Sequence, residues 1–214
     1  MKHWVFDLDG TLVDSSALYE KSLKTIFAKF ELPFGPRELE RAYQYFNPYD
    51  LFAHYLSSQA QQNEAVDLLV RLSYENSHEI SVYEGMLDIV AELRSRGVAI
   101  SVWTGRDLRT ATRLLEQTGI GVHVERCISR TCVAQTKPAP EGLIRILDES
   151  KHRGEDVVMV GDHEYDIAGA RAAGVKAVSV SWGVATSPLE QLSDHHFWRV
   201  SEFRDWALGH YGDR

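Results

Sequence analysis

Met1-Lys-His-Trp-Val-Phe-Asp-Leu-Asp-Gly-Thr-Leu-Val-Asp14 decides how the rest of the chain is read. Trp4, Val5 and Phe6 are bulky residues that favour a buried strand. Asp7 and Asp9 follow, separated by Leu8, and then comes Gly10. In an extended chain the period of two sends both carboxylates to one side and Leu8 to the other. At the carboxyl end of a central parallel strand they would stand where ligands of open α/β sheets bind. Two carboxylates this close repel unless a cation lies between them or one keeps a proton. A divalent metal with a phosphate accounts for both acids; a polar turn after a strand is the bland alternative. A calcium loop is excluded, because it needs a third acid at position 5, Gly at 6 and Glu at 12. Counted from Asp7, those places hold Thr11, Leu12 and Leu18.

Beyond Asp14 the pattern turns helical. Leu18, Tyr19, Leu23, Ile26, Phe27 and Phe30 recur at helical spacing over 15–30. Pro33, Gly35 and Pro36 interrupt it. Further helices are expected over 37–46, 49–58 and 64–76, with no buried strand between 15 and 80. From Val82 strands and helices alternate. The sequence predicts helices at 85–96, 107–117, 140–150, 165–173 and 202–208. Strands are expected at 98–103, 124–129, 157–160 and 176–181, with a short edge strand at 197–200. Such alternation argues for an α/β fold, a Rossmann-like parallel sheet with helices on both faces. About 90 residues separate Asp9 from the second strand, far more than a crossover needs. The surplus reads as an inserted all-helical cap, 15–80, on a core of 1–14 and 81–214. Rooted beside the acidic pair, such an insert can act as a lid.

Bulk properties narrow the function. The 214 residues are 44% apolar and 25% charged, which is ordinary for a globular protein. A net charge of −8 argues against nucleic acid or an anionic membrane as partner. Cys127 and Cys132 are too few for a disulfide framework or a four-cysteine zinc site, and fit reduced thiols. No apolar run reaches the roughly 20 residues of a membrane helix. The active strand starts at residue 4, so removal of a leader would remove it. A cytoplasmic protein is expected.

Three later strand ends carry chemistry. Thr104-Gly105 stands before a helix, where a hydroxyl and free N–H groups suit a phosphate; an ordinary N-cap explains Thr104 equally. Lys137, in Gln135-Thr-Lys-Pro-Ala-Pro140, lies in a loop stiffened by two prolines, with a solvated lysine as the plain alternative. Gly161-Asp-His-Glu-Tyr-Asp166 follows a wholly apolar strand. Asp162 and Asp166 are four apart, so a helix starting there would bring both to one face, although helix starts attract acids anyway. Four successive junctions thus carry two Asp, a Thr, a Lys and two Asp.

In this combination the chain resembles the haloacid dehalogenase superfamily. It is most similar to the phosphatases with a helical cap after the first motif, such as phosphoglycolate phosphatases. The resemblance implies that Asp7 is the nucleophile forming an aspartyl-phosphate. It implies that Asp9 is the general acid and base, with a backbone carbonyl on the metal. Thr104 and the Gly105 N–H would hold the phosphate, and Lys137 would neutralise nucleophile and phosphoryl charge. Asp162 and Asp166 would bind Mg²⁺ together with Asp7, directly or through water. The substrate implied is a small phosphorylated metabolite. Asp9 argues against dehalogenation and phosphonate cleavage, which lack a leaving alkoxide to protonate. A sugar phosphomutase keeps both acids and stays open, as does a non-catalytic binding protein of the same fold. Monomer and homodimer are both compatible. Arg106 is a candidate substrate contact. His163, Glu164 and the His195-His196 pair receive no role. Tyr43, Tyr45, Phe46, Tyr49, Phe52 and Tyr55 should be mainly cap core, with one or two in the pocket.

Overall fold

A computed structural model describes residues 1–45, 47–184 and 188–209. Six parallel strands form one sheet: β1 (His3–Phe6), β4 (Ala99–Trp103), β5 (Arg126–Ile128), β6 (Val157–Gly161), β7 (Lys176–Val180) and β8 (His195–Phe197). Their order is β5-β4-β1-β6-β7-β8, the doubly wound arrangement in which the chain moves outward from β1 in both directions. Trp4 pairs with Ile100 on one side and Val158 on the other, so the first strand is central.

Alternation along the strands fills both faces. Trp4, Phe6, Ile100, Val102, Val158, Val160, Val178 and Val180 join one buried cluster. Val5, Trp103, Val157, Met159 and Ala177 join the other. The first face is covered by α5 (Met86–Ser95), α6 (Leu108–Gln117) and α9 (Val200–Gly209), through Ile89, Leu114 and Phe203 among others. The second is covered by α7 (Glu141–Ser150) and α8 (Glu164–Ala172), through Leu143, Ile146 and Ile167. Two-sided burial is what makes these strands continuously apolar.

Between β1 and α5 run α1 (Ser16–Lys29), α2 (Pro36–Gln44), α3 (Pro48–Tyr55) and α4 (Gln59–Glu75). They bury a third cluster of their own around Leu23, Phe27, Leu51, Phe52 and Val66. The chain enters and leaves this segment on a two-stranded antiparallel ribbon, β2 (Val13–Asp14) with β3 (Ser81–Val82), pairing Val13 with Val82.

Several boundaries differ from expectation. The helix expected at 64–76 starts at Gln59, because the polar run Gln59-Ala-Gln-Gln-Asn-Glu64 has no apolar period yet continues the helix. The helix at 49–58 is Pro48–Tyr55, opened by Asn47, whose side chain accepts from the Tyr49 N–H. The helix at 37–46 ends at Gln44, and Phe46 lies outside the described residues. The edge strand is His195–Phe197 instead of 197–200, because Val200 already starts α9. Among the described residues, no helix is long and apolar enough to cross a membrane. Cys127 and Cys132 are free and half-buried.

Candidate active site

Asp7 extends β1 by one residue, its N–H donating to the Val160 carbonyl at 2.8 Å. It keeps the parity of His3 and Val5, while Leu8 joins Trp4 and Phe6 in the core beneath. Gly10 then reverses the chain at φ +77°. A Cβ there would lie 1.9 Å from the Asp162 Oδ2, so only glycine lets the first and last acidic stretches approach. Thr11 Oγ1 donates to Asp162 Oδ1 at 3.2 Å.

Lys137 is the centre of charge. It is 4% exposed and donates to Asp7 Oδ1 and to Asp166 Oδ1, both at 2.6 Å. Its ammonium also stands 4.8 Å from the centre of the Trp103 ring. Burial alone would lower its pKa, but the charges of Asp166 and Asp7 more than offset that and raise it. Asp166 is fully buried and uses its other oxygen, Oδ2, to accept from the His163 N–H at 3.1 Å. Oxygen atoms of Asp7, Asp162 and Asp166 all lie within 4.8 Å of one another. Burial, followed by the neighbouring carboxylates, pushes Asp7 up to about 7 against the pull of Lys137. Burial and then Asp7 likewise raise Asp162. Asp7 and Asp166 share one ammonium and Asp162 adds a third carboxylate beside them, an under-neutralised group and the donor set a hard divalent cation takes.

The expectation that Asp162 and Asp166 share a helical face is not met. Asp162 precedes the helix; α8 starts after His163, whose Nδ1 accepts from the Tyr165 N–H as its N-cap. The two acids come together because the strand end and the first helical turn both close on Asp7. The rival reading of Thr104 as N-cap also fails. Asp107 caps α6, accepting from the Thr110 N–H at 3.0 Å. Thr104 is buried, and its Oγ1 accepts from the Arg106 N–H at 3.1 Å.

Asp9 is held differently. Arg106 Nε donates to one of its carboxylate oxygens at 2.6 Å and Nη2 to the other at 2.5 Å. Ser15 Oγ adds a third bond at 2.5 Å. Burial would raise the Asp9 pKa, but the Arg106 charge and these hydrogen bonds bring it below the usual carboxylate range. Arg106 Nη1 reaches on to Ser73 Oγ of α4 at 2.5 Å. Nearby, Arg109 and Arg113 of α6 lie over the Tyr74 ring at 4.0 and 4.6 Å. A row of arginines from the sheet side thus grips α4. Sequence reasoning offered Arg106 as a substrate contact, whereas here it binds Asp9, and it missed Ser15 and Ser73; short-range patterns carry no signal for contacts spanning 97 residues.

Asp7, Asp9, Asp162, Asp166, Arg106, Ser15 and Ser73 border a chamber of about 260 Å³ between the sheet's carboxyl edge and the helices over 16–75. Gly105, His163 and Arg130 line it, as do Tyr43 and Tyr45 from the aromatic cluster. Phe52 is buried in the helical core, and Tyr49 is exposed. The family model described as "Haloacid dehalogenase-like hydrolase" matches residues 4–180. This chain is a haloacid dehalogenase-like hydrolase. Among curated relatives of this hydrolase, a phosphoglycolate phosphatase of Rhodospirillum rubrum is 30% identical over 88% of the chain and 83% of its own length. A pyrophosphatase of Oceanobacillus iheyensis is 26% identical over 84% of the chain and 83% of its own. The fold is shared with a haloacid dehalogenase-like family protein of Streptococcus pneumoniae, with a TM-score of 0.83 and 22% identity over 96% and 98% of the two chains.

Proposed function

We propose that this hydrolase is a Mg²⁺-dependent phosphatase of small phosphate monoesters, with residues 15–80 as its cap over a core of 1–14 and 81–214. The observation that carries the reading is the buried Lys137 joining Asp7 to Asp166 at the floor of the chamber. Phosphoryl transfer needs in-line positioning and charge neutralisation, and that ion-paired lysine supports the second. Asp7 is the nucleophile: one carboxylate oxygen attacks phosphorus while the ester P–O bond breaks, leaving an aspartyl-phosphate. Asp9, when protonated, gives its proton to the departing oxygen. In the second half Asp9 takes a proton from water as that water attacks phosphorus, the bond to Asp7 breaks, and inorganic phosphate leaves. Held by Arg106, Asp9 stands ready as the base; serving as the acid requires release from the guanidinium. Lys137 offsets the anionic charge of nucleophile and phosphoryl group throughout. Gly105 and Thr104 bracket the turn that meets the phosphate. Mg²⁺, held by Asp7, Asp162 and Asp166 and an Asp9 backbone carbonyl, would neutralise phosphate charge and allow two anions to meet.

Support comes from the relatives named above, whose names are those of phosphate-releasing enzymes. The test is phosphate release from a panel of small esters with Mg²⁺ or EDTA, using wild type and Asp7→Asn. Release that needs Mg²⁺ and disappears in Asp7→Asn is expected. Ester hydrolysis that survives in Asp7→Asn would sink the aspartyl-phosphate route.

A further inference from the structure

The chamber's two walls differ in charge. The core wall carries Asp7, Asp9, Asp162 and Asp166, and the chamber's two guanidiniums, Arg106 and Arg130. The cap wall is built from Leu18, Tyr19, Tyr43, Tyr45, Leu69 and Val70, with hydroxyls from Ser16, Ser22 and Ser73. Among the described residues, it contributes no charged side chain between 15 and 80. The cap has cations to offer, and they lie elsewhere. Lys21, Lys24 and Lys29 pair on the outside with Glu79, Glu20 and Glu64. Arg41 is spent on His54 and Tyr55, and Arg37 and Arg71 are exposed.

On the core side, Arg106 is already engaged by both oxygens of Asp9. Arg130 sits beside it, its N–H donating to the Arg106 carbonyl at 3.0 Å. With the phosphoryl group at Asp7, the leaving group faces the cap. A second anionic group there would lose its water against the tyrosine and aliphatic surface of the cap wall, which offers it no cation; Arg130, on the core wall, is the chamber's guanidinium not paired with Asp9. It would also meet the carboxylates of Asp9 and Asp14, which border the same space. A leaving group that is uncharged, partly apolar and able to accept a serine or tyrosine hydrogen bond meets none of these costs. The chamber's about 260 Å³ is at the small end for ligand pockets and suits a single ring or short chain.

We infer that the preferred substrate is a phosphate monoester of a small uncharged alcohol with apolar surface, rather than a phosphorylated carboxylic acid or a diphosphate. The inference rests on the phosphatase reading above. It also separates this chain from what the names of its relatives describe, since phosphoglycolate and pyrophosphate each carry a second anion.

Two matched pairs of esters test it: 2-hydroxyethyl phosphate against phosphoglycolate, and phenyl phosphate against 4-carboxyphenyl phosphate. Each pair has similar size and differs by one carboxylate. Binding is measured by calorimetry on Asp7→Asn with Mg²⁺, and kcat/KM on wild type. The member of each pair without the carboxylate should bind at least about tenfold more tightly, a discrimination near 1.4 kcal/mol, and turn over with the same preference. Leu69→Arg, which adds a cation to the cap wall, should bring phosphoglycolate towards parity. Equal or tighter binding of the carboxylate-bearing members overturns the inference, as does no binding of any of the four. An absence of turnover in wild type with the binding order intact refutes the phosphatase reading alone. A preference for the carboxylate-bearing esters lost in Arg130→Met would assign the second anion to Arg130 and overturn the inference as well.

Discussion

Asp7→Asn should abolish turnover and, in metal-free protein above neutral pH, make the fold more stable. Asp7, Asp162 and Asp166 crowd together, and a single ammonium bridges Asp7 and Asp166. In the unfolded chain Asp7 ionises near 3.8; in the fold, burial and its acidic neighbours push it up to about 7. The native state therefore holds this proton more tightly than the unfolded state. Between pH 3.8 and about 7 folding takes up a proton, so stability falls as pH rises through that window. Carrying a carboxyl from 3.8 to about 7 corresponds to about 4 kcal/mol, lost in full by pH 8. Asparagine cannot ionise and avoids the loss, while Lys137 keeps Asp166 as partner. An amide hydrogen facing the ammonium takes back part of the gain, which leaves about 2–4 kcal/mol. For a chain of this size that raises Tm by roughly 4–16 °C. The assay is calorimetric melting in EDTA at pH 5 and pH 8, repeated with Mg²⁺. The mutant's advantage should be large at pH 8 and small at pH 5. It should shrink or reverse with Mg²⁺, because a ligand at about a hundred times its Kd stabilises wild type by about 2.7 kcal/mol and the mutant lacks one donor. An Asp7→Asn melt no higher than wild type at pH 8 in EDTA would refute the picture of a site strained by its own charge.

Arg106→Met frees both oxygens of Asp9 and removes the bond to Ser73. With the guanidinium gone Asp9 is more readily protonated, so the loss of kcat/KM should be about 10–100-fold smaller for alkyl esters than for 4-nitrophenyl phosphate, whose leaving group needs little protonation; equal losses would confine Arg106 to holding the cap. His3 is buried on β1 with its Nε2 2.8 Å from Ser101 Oγ and its Nδ1 3.1 Å from His152 Nδ1. Burial, then His152, lowers it to about 4, so stability is complete above 6.5 and about 3 kcal/mol is lost as pH falls towards 4. Urea midpoints in the Asp7→Asn background, where Asp162 still supplies an opposing slope, should fall more steeply from pH 6.5 to 4 than those of the same protein carrying His3→Gln; identical pH dependence of the two would refute it.

Much of this was legible because a parallel sheet buried on both faces writes short apolar runs, and its functional ends interrupt them with polar residues that a plain turn does not need. Asp7, Asp9, Lys137, Asp162 and Asp166 were each found at such an interruption, and the structure gathers them at one edge. What escaped was set by side-chain reach. Arg106 joins Asp9 to Ser73 across three segments of chain, and nothing local to any of the three marks it. The Asp162 placement failed for a local reason: His163 takes the capping role usually held by Ser, Thr, Asp or Asn, so the helix starts later than the spacing of the acids implied. The start of α4 escaped because Gln59 to Asn63 offers helix propensity without an apolar face.

The strand parity that fills the core also places the chemistry. His3, Val5 and Asp7 point to one side of β1, and Trp103 on β4 points to the same side. Trp103 therefore forms both the top of that core and the surface on which the Lys137 ammonium rests, 4.8 Å from the ring centre. A one-residue slip of β1 would turn Asp7 towards the face now filled from Ile100 and Val158, send Trp4 and Phe6 to the opposite face, and turn Leu8 into the chamber. Register in this sheet is consequently a catalytic variable as much as a structural one. The apolar residues that fix it lie far from the reacting atoms, yet they decide which carboxylate meets the lysine.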